Sequence, residues 1–291
     1  MIEYLWLPEN RCNYGCPYCS YTNESARAPL VAMQKRVTPE QWEAAWENAY
    51  ARHGEGWVYV TGGGEPTLHP GFMRLALAVS RRHKLSFDTN LSWSDENLAV
   101  FLSSADPRRV KLELSFHPSE VSLEDFVRKA KMIGAAGFMA QCRWVAYPAH
   151  VDRIAEYARG FLDAGLLFTV TPFKGEWDGK AYPEAYTDEQ RAAILNVVTT
   201  AGEGAPVEQV RHLLNQNTER PEGRSCRAGK DYLCVMPDGY AYRCQQYAMK
   251  GWERIGDFLS PDFAMAPDSA PCRARDCGHE FRWLEKEALV A

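Results

Sequence analysis

The sequence predicts an α/β fold, a partial (βα)6 TIM-like barrel followed by a small cysteine-rich domain with a β-hairpin. Three observations carry this. Strand and helix signals alternate six times between Glu3 and about Gly165–Phe173. Such alternation marks parallel βα units. Three of the strands carry polar residues at every second position, as strands lining a polar interior do. Finally, eight of the nine cysteines fall in two groups, Cys12 to Cys19 and Cys226 to Cys277.

The elements follow in order. "EYLWLP" is a short apolar first strand. In "TPEQWEAAWENAYARHG", Thr38 and Gln41 make a capping box and Pro39 takes the first helical position. Trp42, Trp46 and Ala49 share one face of that helix. "WVYVTGG" is the second strand, "GFMRLALAVSRRHK" its helix and "LSFDTN" the third strand. Ser94 caps "SDENLAVFLSSA". "VKLELSFHP" is the fourth strand, and its helix "SLEDFVRKAKMIGAAG" ends at a glycine cap. "FMAQCRWVAYP" and "LLFTVTPF" are strands five and six, separated by "HVDRIAEYARGFLDAG". With no seventh or eighth unit, the barrel is expected to be open on one side. "TDEQRAAILNVV" is a further capped helix, residues 201–225 read as a linker, and Asp238-Gly239 in "VMPDGYAYRC" is a strong hairpin turn. The expected domains are 1–200, the barrel; 201–225, the linker; and 226–291, the cysteine-rich domain.

Strand parity points to a polar interior. Ser86, Asp88 and Asn90 alternate with Leu85 and Phe87; Lys111, Glu113, Ser115 and His117 alternate with Leu112, Leu114 and Phe116; Gln141 and Arg143 flank Cys142. Polar side chains are costly to bury unless something polar meets them. Two readings follow: a cavity for a polar ligand, with the C-terminal strand ends as its working face, or a closed core of water and internal salt bridges.

Composition excludes several classes. The chain is 46% hydrophobic and 24% charged with a net charge of −5, both signs being spread along it. No basic stripe is present, so no nucleic-acid partner is expected. No apolar run approaches the roughly 18 residues of a membrane span, so no membrane association is expected. "MIEYLWLPE" is not a signal peptide, which makes a cytoplasmic location the expectation. In a reducing compartment, clustered cysteines point to metal or redox chemistry.

The cysteine loop "NRCNYGCPYC" sets Cys12, Cys16 and Cys19 at C-x3-C-x2-C. Three thiolates leave one iron of a cubane without a protein ligand. Zinc is the alternative occupant, although a structural zinc site wants a fourth ligand. The loop follows the first strand, and "TGGGEP", Thr61 to Pro66, ends the second. Together these resemble the radical S-adenosylmethionine (radical SAM) superfamily, and the resemblance covers most of the chain. It implies that Cys12, Cys16 and Cys19 hold a 4Fe–4S cluster, that SAM chelates the open iron, and that Tyr18 packs by the adenine. By the same resemblance Gly62, Gly63, Gly64 and Glu65 take the SAM ammonium, and Asn90 and Ser115 contact its ribose and carboxylate. His117 departs from the acidic residue of the family's S-x-D pattern, and the arginine that often follows is not evident.

"CRAGKDYLCVMPDGYAYRC" resembles the start of a SPASM domain through Cys226, Gly229, Pro237, Asp238, Gly239 and Cys244, with Val235 in the isoleucine place. Only Cys272 and Cys277 follow, at C-x4-C. Four ligands, Cys226, Cys244, Cys272 and Cys277, imply the shortened twitch form with one auxiliary 4Fe–4S cluster; a zinc knuckle is the alternative. The resemblance thus implies a partial radical SAM barrel with a twitch-type domain, two 4Fe–4S clusters and SAM as cofactors.

The implied activity is reductive cleavage of SAM, with an external one-electron reductant of flavodoxin or ferredoxin type. The 5′-deoxyadenosyl radical then takes hydrogen from a small-molecule substrate. A carbohydrate or aminocyclitol suits the polar lumen, giving oxidation or epimerisation. Because the chain begins almost directly with strand one, a leader-binding domain is not expected, yet modification of a ribosomally made peptide is the alternative enzyme. An iron–sulfur electron-transfer or scaffold protein is the alternative of another class. Candidate substrate contacts are Arg143, Lys174, Glu176 and Trp177, and candidate catalytic residues are His117 and Cys234. Cys234 reads first as a packed thiol, with a spare ligand or a hydrogen donor as the alternatives, and Cys142 reads as a packed thiol.

Overall fold

A computed structural model of the chain describes residues 1–19, 33, 37–61, 63–200, 207–215, 220–275, 277 and 281–285. The chain divides into two compact units. One comprises residues 1–12, 24–87 and 218–291, the other residues 13–23 and 88–217. The fold is α/β with parallel strands, consistent with the expected partial TIM-like barrel.

In the first unit, β1 (Glu3–Trp6), β2 (Trp57–Val60) and the start of β3 (Lys84–Thr89) pair in parallel. Helix α1 (Pro39–His53) has the expected capping box at Thr38 and buries Trp42, Ala45, Trp46 and Ala49. Trp6 of β1 meets Trp42 and Trp46 edge-on, with ring centroids 5.1 and 5.2 Å away. Tyr4 and Trp6 therefore point at α1, and Leu5 between them points to the opposite face of the sheet. Helix α2 (Phe72–Arg82) follows β2.

The C-terminal hairpin joins this same sheet. Strand β10 (Tyr232–Val235) runs parallel to β1, with Leu5 opposite Cys234 and Trp6 opposite Val235. Strand β11 (Tyr240–Tyr242) turns back against β10, and β12 (Arg254–Asp257) continues beside β11. The turn is the expected one. Gly239 has φ +85°, the left-handed region that favours glycine, and a Cβ there would stand 2.5 Å from Leu259 Cδ1. Two short strands, β9 (Ser225–Cys226) and β13 (Ala270–Pro271), pair antiparallel, and the short helix α8 (Gln245–Met249) follows Cys244.

In the second unit, β4 (Val110–Phe116), β5 (Met139–Ala146) and β6 (Leu167–Pro172) pair in parallel. Helix α3 (Asp95–Ser104) leads into β4, α4 (Leu123–Ala135) connects β4 to β5 and α5 (Ile154–Asp163) connects β5 to β6; Ser94 and Ser122 cap α3 and α4. A hairpin of β7 (Gly175–Trp177) and β8 (Lys180–Tyr182) leads from β6 to α6 (Asp188–Thr200). Helix α7 (Val207–Leu214) lies within the stretch read from sequence as a linker; residues 201–206 and 216–219 of that stretch lie outside the described residues. Among the described residues no helix is long and apolar enough to cross a membrane.

Candidate active site

The cysteine loop leaves β1 of the first unit through a buried acid. Glu9 is 2% exposed. Its Oε1 accepts the backbone N–H groups of Asn10 and Arg11, both at 2.9 Å, and its Oε2 pairs with the Arg11 guanidinium at 2.7 Å. Burial pushes this carboxyl up, but the Arg11 hydrogen bonds and charge prevail and hold it below the usual carboxylate range. Glu9 thereby fixes the backbone leading into Cys12.

The glycine loop closes on the same backbone. Glu65 N–H donates to the Arg11 carbonyl at 2.8 Å. A Cβ on Gly64 would lie 2.1 Å from that carbonyl oxygen. Only a residue without a side chain fits there, which is what the two adjoining motifs require of one another. Gly63 has φ +81°. Glu65 is 2% exposed and its Oε1 accepts from Thr67 Oγ1 at 2.6 Å and Thr67 N at 3.2 Å. Gly62 lies outside the described residues.

In the second unit, the rest of the loop is held by side chains from β3 and beyond β4. Asn90, 4% exposed, donates from Nδ2 to Asn13 Oδ1 at 3.1 Å, and its own Oδ1 accepts Ser92 N–H at 2.9 Å. Gly15 N–H donates to Glu120 Oε1 at 3.2 Å. Cys19 N–H donates to the Cys16 carbonyl at 3.1 Å, a tight turn at the end of the motif. Cys12 is exposed, Cys16 buried and Cys19 half-buried, and no disulfide joins any of the nine cysteines.

Tyr18 is buried, and its hydroxyl lies 2.9 Å from His117 Nδ1. Burial raises the Tyr18 phenol and lowers the His117 imidazole to about 4. Tyr14 meets His117 edge-on at 5.9 Å, and Tyr147 lies 5.0 Å from Tyr18. Tyr147 in turn contacts Phe173 at 5.4 Å and Trp177 at 6.1 Å. An aromatic run thus reaches from the cysteine loop to the β7–β8 hairpin within one unit. Lys174 and Glu176 beside it are exposed.

The polar row of β4 and β5 is real, and it is largely self-paired. Glu113, 6% exposed, accepts from Arg143 at 2.9 Å and from Lys111 at 2.5 Å. Arg143 also stands 3.8 Å from Asp88, and Lys111 donates to Gln141 Oε1 at 3.3 Å. Arg143, expected as a substrate contact, is thus engaged by two carboxylates. Ser115 faces Arg143 across the strand pair and is half-buried.

The C-terminal cysteines sit in the first unit. Cys226, Cys244 and Cys277 are buried and Cys272 is half-buried. β9 carries Cys226 opposite Ala270. Cys272 N–H donates to the Arg224 carbonyl at 2.9 Å, and its carbonyl accepts Gly223 N–H at 2.8 Å. Cys234 is fully buried on β10, its Sγ 3.5 Å from Met236 Sδ. Cys142 is fully buried opposite Leu114 and Phe168, and burial pushes its thiol up to about 12. Among the described residues no three His, Cys, Asp or Glu side chains stand gathered to hold a metal ion. What suits an iron–sulfur group is the soft thiol donor set, on backbone segments anchored by hydrogen bonds.

Sequence reasoning did not single out Glu9, Asn13, Tyr147 or Arg243. Of these only Glu9 had a signal, an acid beside a short strand and just before the motif.

The radical SAM superfamily profile matches residues 6–138. No curated protein matches the sequence. Among solved structures, the chain is similar to Streptococcus suis SuiB bound to precursor peptide SuiA, with TM-score 0.60 and 15% identity over 90% of this chain and 63% of that one. It is also similar to anSMEcpe with bound AdoMet, with TM-score 0.59 and 17% identity over 89% of this chain and 78% of that one. A third is anSMEcpe with bound AdoMet and the Cp18Cys peptide, with TM-score 0.59 and 17% identity over 88% of this chain and 77% of that one. The chain therefore spans less than two thirds of SuiB's length and more than three quarters of anSMEcpe's. At these identities the likeness is one of fold.

Proposed function

From the match of residues 6–138 to the radical SAM superfamily profile, we propose that the chain is a member of that superfamily, cleaves SAM reductively and abstracts hydrogen from a polar small molecule, leading to oxidation or epimerisation. The observation that carries this is the junction of two motifs. The C-x3-C-x2-C loop and the TGGGEP loop share the Arg11 carbonyl, on which Gly64 closes too tightly for any side chain. Cys12, Cys16 and Cys19 would hold the first 4Fe–4S cluster, and Cys226, Cys244, Cys272 and Cys277 an auxiliary one. A cluster held by Cys12, Cys16 and Cys19 would supply the electron for reductive cleavage of SAM, the chemistry that leads to removal of a substrate hydrogen atom.

The residues of the chain then have defined tasks. Glu9 fixes the backbone before Cys12, and Asn90 holds Asn13 after it. Gly63, Gly64 and Glu65 present backbone groups to the SAM ammonium. Tyr18, backed by His117 and Tyr147, offers a ring edge for the adenine. His117 carries no charge at neutral pH and so adds none beside the cofactor. Trp177 and Tyr147 are the aromatic surface available to a substrate, with Lys174 and Glu176 as exposed polar contacts. The electron comes from an external donor of flavodoxin or ferredoxin type.

Peptide modification is the second reading. The observation that favours it is that SuiB and anSMEcpe, which share the fold, have been solved with peptides bound. The test is an anaerobic assay with a chemical reductant. Wild-type chain should hold about eight iron atoms and form 5′-deoxyadenosine from SAM. The Cys12→Ala/Cys16→Ala/Cys19→Ala variant should hold about four and form none. If that variant still forms 5′-deoxyadenosine, the assignment is wrong. Adding candidate sugars or peptides and reading product mass separates the two substrate classes.

A further inference from the structure

Arg243 immediately precedes Cys244 at the start of α8, and its guanidinium is spent on backbone. Nε donates to the Ala228 carbonyl at 2.8 Å, and Nη2 to the carbonyls of Cys226 at 2.9 Å and Ala270 at 2.8 Å. Nη1 donates to the Pro271 carbonyl at 3.2 Å. The guanidinium carbon sits 5.4 Å over the Tyr247 ring, and the Tyr247 hydroxyl accepts Arg273 N–H at 3.3 Å.

These partners come from the segments that carry the candidate ligands. Cys226 contributes its own carbonyl. Ala270 and Pro271 directly precede Cys272, Arg273 directly follows it, and Cys244 is joined to Arg243 by a peptide bond. Gly229 makes room for the arginine stem. Its φ is +102°, and a Cβ there would lie 3.1 Å from Arg243 Cγ. We propose that Arg243 is a positioning residue for the auxiliary cluster, one guanidinium fixing the backbone of Cys226, Cys244 and Cys272 for a common metal group. A fork of planar donors can meet carbonyls from two strands at once. A lysine ammonium is a single point and cannot span them.

The inference rests on the reading that these cysteines hold an auxiliary cluster, and the experiment separates the two. The full chain with Cys12, Cys16 and Cys19 replaced by Ala reports the auxiliary site alone. Reconstituted anaerobically, it should bind about four iron atoms. Adding Arg243→Ala should cut this by more than fourfold. Adding Arg243→Lys, the variant less prone to misfold, should cut it by more than half and shift the electron paramagnetic resonance g-values of the cluster that remains. A purely structural arginine would lower the thermal midpoint and leave that spectrum unchanged. Full iron and an unchanged spectrum in Arg243→Lys overturn the inference while the auxiliary-cluster reading stands. No iron in the triple variant with Arg243 intact overturns that reading, and the inference with it.

Discussion

The hydroxyl of Tyr18 lies 2.9 Å from Nδ1 of His117, and the two rings stack 5.8 Å apart at 18°. The neutral imidazole accepts the phenol hydrogen bond in its Nε2–H tautomer and donates to the phenol oxygen in its Nδ1–H tautomer. Burial supplies the neutral state by lowering the imidazole to about 4.

A folded-state value below the ordinary one means that the unfolded chain binds the proton more readily. Stability contributed by neutral His117 is therefore complete above about pH 6.5, and is lost as pH falls from 6.5 to about 4. Moving a titration midpoint by one pH unit corresponds to roughly 1.4 kcal/mol. Wild-type chain should lose stability steeply across that window in denaturant titrations. His117→Asn should show a flatter profile there. A parallel slope in both would mean that another group governs acid unfolding.

Gly64 is the tightest point between the two motifs. Gly64→Ala sets a methyl group 2.1 Å from the Arg11 carbonyl oxygen, and backbone cannot yield as a side chain does. Overpacking of this kind costs about 1–3 kcal/mol. The displacement is transmitted to Cys12, next in the chain. The expected outcome is a lower thermal midpoint together with loss of iron from the first cluster. Full iron loading in Gly64→Ala would separate the two loops.

Much of this site was legible from sequence because its signals are local. Spacing set three thiols in one short stretch of sequence, and a glycine run followed a strand. The period of two in Glu113, Ser115 and His117 set one face of β4. Pairing across long stretches of sequence left no such trace. Nothing local says that Cys234 will lie beside Leu5 in a parallel pair, or that Arg243 will collect carbonyls from Ala228 and Ala270. Parity also marked the β4–β5 face as polar without telling how its charges would be matched. Arg143 reads as a ligand contact until Glu113 and Asp88 are seen beside it.

That pairing gives Arg143 a testable role. Removing one member of a fully buried ion pair costs about 3–5 kcal/mol, while replacing both by apolar groups is often neutral; here Glu113 is buried but Arg143 only half-buried. Lys111 still lies 2.5 Å from Glu113, so Arg143→Met should fall at or below the lower end of that range. Arg143→Met/Glu113→Met should recover part of the loss, which a double-mutant cycle in urea measures. Unchanged stability in Arg143→Met would show that the pairing contributes nothing to the fold.

Cys234 decides between the two outcomes proposed for the substrate. Parallel partners in register share a sheet face, so Cys234 lies on the side of Leu5 and Tyr59, away from α1. It is fully buried against Met236, the setting of a packed thiol. A packed thiol predicts that Cys234→Ala costs roughly 1–2 kcal/mol and leaves the product unchanged. A hydrogen donor predicts an epimerase. The thiol would give its hydrogen atom to the substrate radical, and the thiyl left behind would take an electron from the external reductant and a proton from solvent. Product formed in D2O would then gain one solvent deuterium with no change in oxidation level, and Cys234→Ala would keep SAM cleavage but lose the epimer. The expected result is the packed one: the substrate loses one hydrogen atom to the deoxyadenosyl radical, then a proton to solvent and an electron that the auxiliary cluster would accept, so the product is two mass units lighter and free of solvent deuterium. Deuterium in the product that disappears in Cys234→Ala would assign the donor role instead.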